Sequence, residues 1–364
     1  MPQRNLHIKP FDEGTKDKLE LYRDYLREWF RVFTNVPFVD TLQLFDFFAG
    51  PGGDTDGNPG SPVIACDEIF NALHQSKRHD SEIRLFLNEY DAKKFKELSV
   101  CLGRQKKLLP NVELTTMQAT FHSAFEKWKP LMQGKAANLL FLDQNGVDQI
   151  TKPIFQSIVQ LPRTDFLFFI SASTLNRFKN KPEIRRNLPI KDEDLGLMNG
   201  TNVHRLLANA YPRWIPSGVQ YYLGSFSIKK GANVYGLVFG SGHPLGIEKF
   251  LQVAWKHGGD ANFDIDGDDI DPMKPYLFEE FEKPTKITVF EKELEKEILG
   301  RNLKTNKDVY LFALQNGMLA THARDALNLL VKTAKLPKQN FHVSYVAWKK
   351  TDAETIIHFN GVGK

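Results

Sequence analysis

The sequence predicts an α/β protein, a mostly parallel sheet with helices between its strands, closed by an antiparallel terminal hairpin and followed by a smaller α+β unit. Three observations carry this. Apolar runs at Leu42 to Phe48, Ile83 to Asn88, Asn138 to Asp143 and Asp165 to Ala172 alternate with segments of helical spacing, the order that builds a parallel sheet. Tyr221 to Lys229 and Val234 to Phe239 read as two strands with only Lys230 to Asn233 between them, which is a hairpin signal. An acidic, Gly-rich run from Gly258 to Pro272 then precedes three helical segments and two short apolar ones.

The domain plan follows: residues 1–37 form an amphipathic helix packing on the core, 38–257 the sheet domain, 258–276 a linker, and 277–364 a winged-helix-like domain. At 364 residues, 41% hydrophobic and 25% charged, the chain has material for two ordinary domains. Its net charge of +4 permits a polyanionic partner without demanding one. Cys66 and Cys101 are the two cysteines. Without a C-x-x-C or Cys/His cluster, disulfide frameworks and zinc sites are not expected. No apolar signal core or membrane-length stretch is present, so a cytoplasmic protein that keeps clear of membranes is expected.

In chain order, Leu19, Tyr22, Leu26, Trp29, Phe30 and Phe33 recur at three- and four-residue intervals, giving a helix over Lys16 to Phe33 with one apolar face. The first strand, Leu42 to Phe48, runs into Gly50, Gly52 and Gly53, where a ligand can approach a backbone that has no Cβ. A long polar loop, Asp54 to Pro62, delays the next helix, with Ser61 as its N-cap and Pro62 at its first position. The second strand ends at Asn88, followed by a helix over Lys93 to Leu98 and a solvated basic loop from Arg104 to Lys107. A short strand at Val112 to Leu114 comes before Gln118. The fourth strand closes on Asp143, with a helix over Gln149 to Leu161 beyond it. Val203 to Tyr211 and Leu245 to Lys256 are further helices. In Gly258 to Pro272 the Asp/Gly spacing invites a calcium loop, but the twelfth-position Glu is missing, so a linker is expected.

The candidate site residues sit where strands end. Asp46 lies inside the first strand, where a carboxylate needs a partner or a ligand. Glu89 closes the second strand, the place from which open α/β sheets hold ribose hydroxyls. Asp143 and Asn145 follow the fourth strand beside the glycine loop, positioned to orient a substrate or the methionine moiety of a cofactor. Arg177 to Lys191 is rich in cations, among them Lys179, Lys181, Arg185 and Arg186. It is either a solvated basic loop or a set of phosphate contacts to a nucleic acid. In the C-terminal unit, helices over Thr288 to Leu299, Asp308 to Asn316 and Thr321 to Leu336, then strands Phe341 to Trp348 and Thr355 to Phe359, give a winged-helix order. His322, Arg324, Lys332 and Lys335 on the third helix suit nucleic-acid contact or protein contact.

The run Asp46, Phe48, Ala49, Gly50 and Gly52 resembles the first motif of Rossmann-like S-adenosylmethionine (SAM) methyltransferases. With Gly57 to Pro62, Phe141-Leu142-Asp143, Asn145-Gly146-Val147 and Asn316-Gly317-Met318, the chain is similar to the bacterial three-Cys-motif partner family. The resemblance implies a Rossmann-like SAM-methyltransferase sheet with an antiparallel terminal hairpin. It implies SAM as cofactor, held by Asp46, Phe48, Ala49, Gly50, Gly52, Glu89 and Asp143, and a three-Cys-motif radical-SAM-like partner protein. Family members more often read Asp-Pro-Phe-Gly at the fourth strand, and Gln144 and Asn145 depart from that. Two readings follow: a SAM-dependent methyltransferase acting on RNA or DNA, and a non-catalytic nucleic-acid- or protein-binding partner that keeps the fold. A nicotinamide-dependent oxidoreductase suits the glycine loop but not the hairpin.

Overall fold

A computed structural model describes residues 10–75, 81–144, 149–171, 210–230, 233–258 and 286–359. The chain forms two compact units, Met1–Phe263 and Asp264–Lys364.

The first unit is a seven-stranded sheet in the order β3-β2-β1-β4-β5-β7-β6. Its strands are β1 (Thr41–Asp46), β2 (Glu82–Asn88), β3 (Glu113–Met117), β4 (Ala136–Leu142), β5 (Thr164–Ser171), β6 (Tyr222–Lys230) and β7 (Asn233–Ser241). The first five are parallel, and β7 runs antiparallel between β5 and β6. The expected terminal hairpin is therefore present, and its second strand is the one inserted into the sheet. β1 and β4 are buried along nearly their whole length, which is why they read as continuous apolar runs instead of alternating ones.

Helix α1 (Glu13–Phe33) begins at Asp12, whose side chain accepts from the Thr15 N–H. Its buried stripe, Leu19, Tyr22, Tyr25, Leu26, Trp29 and Phe30, lies on the sheet: Tyr22 packs on Phe141 of β4 at 4.2 Å between ring centroids, and Tyr25 on Phe239 of β7 at 4.9 Å. Helix α2 (Ser61–Gln75) packs beside it. Buried Glu68 of α2 accepts two bonds from Arg27 of α1, at 2.9 and 3.0 Å, and one from Arg23 at 3.4 Å. Helices α3 (Ala92–Leu108), α4 (Phe121–Trp128), α5 (Lys152–Val159) and α6 (Pro244–Gly258) are further helices of this unit. The basic run Arg104 to Lys107 is the last turn of α3 and not a loop. Leu98 and Leu102, four residues apart, are both buried, and Lys and Arg in a last turn suit the helix dipole.

The second unit contains α7 (Lys286–Leu299), α8 (Asn306–Gln315), α9 (Ala320–Lys332) and α10 (Tyr345–Lys349). Here the winged-helix expectation fails. The first expected wing strand, Phe341 to Trp348, runs instead into the short helix α10, which Ser344 caps by accepting from the Ala347 N–H, and Val343 and Ala347 are both buried. The second leaves only an isolated bridge, Thr305 to Ile356. Buried Asn306 takes over the work of a ladder. Its amide donates to the His342 and Ala353 carbonyls and accepts from the Thr355 N–H. Of the α9 cations, Arg324 and Lys332 are exposed; Lys335, also exposed, lies beyond the end of α9 and pairs with Glu295 of α7.

The expected linker at 258–276 lies, beyond Gly258, outside the described residues. Among the described residues no helix is long and apolar enough to cross a membrane.

Candidate ligand site at the strand ends

The register sets Asp46 at the end of β1 beside Leu87 of β2 and Phe141 of β4, so three acidic residues, Asp46, Glu89 and Asp143, emerge within a few residues of one another at the carboxyl edge. That edge is where open α/β sheets bind ligands. Buried Asn88 pins it: its amide donates to the carbonyls of Phe47, at 3.1 Å, and Ala119, at 3.0 Å, and accepts from the Ala119 N–H.

The glycine loop crosses this edge. Gly50 has φ 64° and Gly52 φ 98°, a left-handed backbone that side chains rarely adopt. A Cβ on Gly52 would lie 2.8 Å from Cys101 Sγ. The loop then folds back on itself, with Gly60 N–H donating to the Gly52 carbonyl at 2.8 Å. Asp54 organises the long excursion, accepting from the N–H groups of Phe11, Asp56 and Asn58 and from the Asn58 amide. Burial pushes its carboxyl up, and these bonds together outweigh it and hold the group below the usual carboxylate range. The loop is thus a built structure, tied to the segment before α1.

Glu89 faces the loop directly. Its Oε2 accepts from the Gly50 N–H at 2.9 Å and its Oε1 from the Asp91 N–H at 2.8 Å. Each carboxylate oxygen keeps a second lone pair, so the group is oriented without being used up.

Asp46 lies deeper, 1% exposed. It accepts from Ser61 Oγ at 2.6 Å and from the Phe48 N–H at 3.0 Å. Ser61, expected as an N-cap, is instead the first residue of α2, with the Gly60 carbonyl accepting from Ile64 N–H. Burial pushes the Asp46 carboxyl up to about 7, with the Asp143 and Glu89 carboxylates adding to the rise and the Ser61 and Phe48 bonds opposing it. Phe48 stacks on Phe121 of α4 at 5.3 Å, and the Ala49 N–H donates to the Asn88 carbonyl.

Asp143 pairs with Lys18 of α1, a residue that the sequence marks only as one more lysine on an amphipathic helix. The Lys18 ammonium also lies 5.3 Å from the centre of the Phe169 ring. Gln144 is buried beyond Asp143, its oxygen accepting from the Gln149 N–H while its Nε2 has no partner among the described residues. Asn145, Lys179, Lys181, Arg185 and Arg186 lie outside the described residues.

Neither thiol is set up as a nucleophile. Burial pushes Cys66 up to about 12, with Asp67 and Cys101 adding to it, and burial raises Cys101 as well. Among the described residues no group of three or more His, Cys, Asp or Glu side chains is arranged to hold a metal. A cavity of about 670 Å³ opens at the other edge of the sheet, lined by Phe70, His74, Glu82, Leu108 and Asn111. It lies at the amino ends of β2 and β3, away from the carboxylates.

No protein-family model and no curated protein matches the chain. Among solved structures it is similar to spermidine synthase from Thermotoga maritima, with 11% identity over 70% of this chain and 67% of that one, and a TM-score of 0.33. It is also similar to SCL7 of Oryza sativa, with 10% identity over 62% and 84% and a TM-score of 0.34. A loganic acid methyltransferase with SAH matches at 10% identity over 61% and 77%, with a TM-score of 0.29. These likenesses are loose, and the strand order and site geometry stand without them.

Proposed function

We propose that the chain is a SAM-dependent methyltransferase-like protein that acts on nucleic acid. The observation that carries this reading is the junction at the carboxyl edge: a left-handed glycine loop whose Gly50 N–H is held by Glu89, directly beside Asp46 and Asp143. The antiparallel β7 supports it against a dinucleotide dehydrogenase, whose sheet continues in parallel.

The residues present fit SAM by their chemistry. Glu89 offers fixed acceptors for two ribose hydroxyls, the Gly50 to Gly52 backbone permits close approach, and acidic groups suit a sulfonium cation. When bound, SAM supplies an already activated methyl group. The task left to this chain is to orient the acceptor and keep water out, with Asp143 and Asn145 as the positioning groups. The raised thiols argue against a covalent cysteine route. For the acceptor, support comes from the cations Lys179, Lys181, Arg185 and Arg186, which follow the carboxyl end of β5 in sequence. Membership of the three-Cys-motif partner family is part of the proposal and would supply a radical-SAM-like protein as partner.

A second reading, a non-catalytic partner that retains the fold, is favoured by one contact: Asp143, the group proposed to face the acceptor, is already paired with Lys18.

Titration calorimetry with SAM, followed by transfer of labelled methyl to cell-derived RNA and DNA, separates the readings. Micromolar binding is expected, lost in Gly50→Asp, where a side chain must adopt φ 64° and a carboxylate meets Glu89. Binding without transfer to either pool moves the protein to the second reading. No binding by the folded wild type sinks the first.

A further inference from the structure

We infer that helix α3 lays an exposed cationic stripe along the phosphate backbone of a nucleic-acid duplex and is the main electrostatic hold of the chain on that polyanion. The inference deepens the proposed reading by naming the surface that grips the nucleic acid, and it does not depend on the cofactor.

The chain concentrates its charge on this one element. α3 carries Lys93, Lys94, Lys96, Arg104, Lys106 and Lys107 against the single acid Glu97, a surplus of five, while all 364 residues together have a net charge of +4. The rest of the chain is therefore slightly acidic. Among the described residues none of the six cations makes an ion pair, and all but half-buried Lys94 are exposed. At about 100° per residue, Lys93, Lys96, Arg104 and Lys107 fall within an arc of about 80°. Val100 lies at the centre of that arc, opposite the buried Leu98 and Leu102.

Helix stability does not account for this arrangement. Lys93 and Lys94 stand in the first turn, which holds no acid and where the helix dipole disfavours cations. The Asp91 cap, accepting from their N–H groups, offsets that only in part. Lys93 with Lys96, and Arg104 with Lys107, are like charges three residues apart, and each such pair is mildly destabilising. The stripe becomes favourable when an anion from outside lies on it.

The spacing favours a duplex. Lys93 and Lys96 form one pair and Arg104 and Lys107 another, about 16 Å further along the axis at about 1.5 Å per residue. A groove about 12 Å wide, with a phosphate on each wall, fits between them. Val100 and Gly103, which separate the pairs, are exposed and short, so the helix can come close. An anionic membrane is the rival polyanion, but a helix lying in a membrane surface turns its apolar face outward. α3 keeps Leu98 and Leu102 against the protein.

The test is fluorescence anisotropy of the full chain with a labelled mixed-sequence DNA duplex of about two helical turns, the RNA duplex of the same sequence and their separated strands, across a salt series. Lys93, Lys96, Arg104 and Lys107 are changed together to Gln, a good helix former. Duplex binding should weaken about a hundredfold or more at low salt, and the slope of affinity against salt should become shallower by about three to four. The same change at four exposed lysines on other helices, Lys16, Lys127, Lys152 and Lys256, should cost about threefold or less. The urea midpoint of the α3 variant should equal or exceed that of wild type, since like charges have been removed. If the fourfold variant does not fold, the two pairs are changed separately, and each should reduce the slope by about two. Duplex affinity and slope left unchanged by the α3 substitutions overturn the inference and leave the nucleic-acid reading standing. So does wild-type binding to single strands alone, or to phosphatidylserine vesicles in place of either duplex. Wild type that binds no nucleic acid overturns both.

Discussion

Asp46 is a carboxyl whose proton is decided by its surroundings. Its folded value of about 7 lies above the unfolded 3.8, so between those two the native state holds a proton that the unfolded chain has lost. The resulting stabilisation is complete below about pH 4 and is lost as pH rises through about 7. Asp46→Asn, which cannot titrate, should remove that component. Relative to the variant, wild type should lose on the order of a few kcal/mol between pH 4 and 8, read from urea midpoints at several pH values. A difference that does not change with pH would show that burial does not govern this group. Asp46, Glu89 and Asp143 stood out in the sequence because each is a carboxylate at or just past the end of an apolar strand. Lys18, Ser61 and Asn88 were not, for three separate reasons. Lys18 carries the mark of a solvent-facing lysine and meets Asp143 only after α1 docks. Ser61 had a local role available as a cap, and a buried carboxylate claimed its hydroxyl instead. Asn88 ends a strand, and only the fold brings Ala119 to it.

At the scale of elements, α1 is held on α2 chiefly through Glu68, which is 1% exposed and receives three bonds from Arg23 and Arg27. Glu68 is the buried member of this cluster, and the arginines that its removal leaves behind are 25% and 44% exposed, so the loss is that of three charge-assisted bonds discounted for water at the arginines. Glu68→Ala should therefore lower stability by about 2 kcal/mol, measured as a urea midpoint shift at unchanged slope. A loss below about 1 kcal/mol would mean that the arginines find water instead. Because α1 also delivers Lys18, the same variant should weaken any ligand that uses Lys18. Elements were legible where the burial pattern is unambiguous, one-sided along α1 and continuous along β4. They failed where a short segment suits two periods: Phe341 to Trp348 alternates like a strand, yet its residues four apart also share a face, and the Ser344 cap settles it as helix. The last turns of α3 were missed because surface lysines carry no burial signal, although they are good helix formers.

Over the whole molecule, the class and the antiparallel closure of the sheet could be read from the alternation of runs and from the four residues between the last two strands. The C-terminal wing could not, because Asn306 supplies by side chain what a strand would supply by backbone. Net charge of +4 on 364 residues is small, so a polyanion must be met by local clusters. Arg185→Ala with Arg186→Ala should weaken nucleic-acid binding about tenfold at low salt and shallow the slope of affinity against salt by about two. An unchanged slope would return that segment to an ordinary solvated loop. The insertion of β7 also sets an order of assembly. β6 and β7 are neighbours in sequence and can pair early, but β7 finds β5 only by closing long loops, matching Ser171 to Tyr235 and Asp165 to Ser241. Such distant pairings are slow, because chain entropy is lost before contacts compensate it. By the same measure the central pairing of β1 with β4, which matches Thr41 to Ala136, closes a still longer stretch than Asp165 to Ser241, so the β6 and β7 hairpin forms locally while its open edge waits for β5, and that edge is an exposed, association-prone face of the newly made chain.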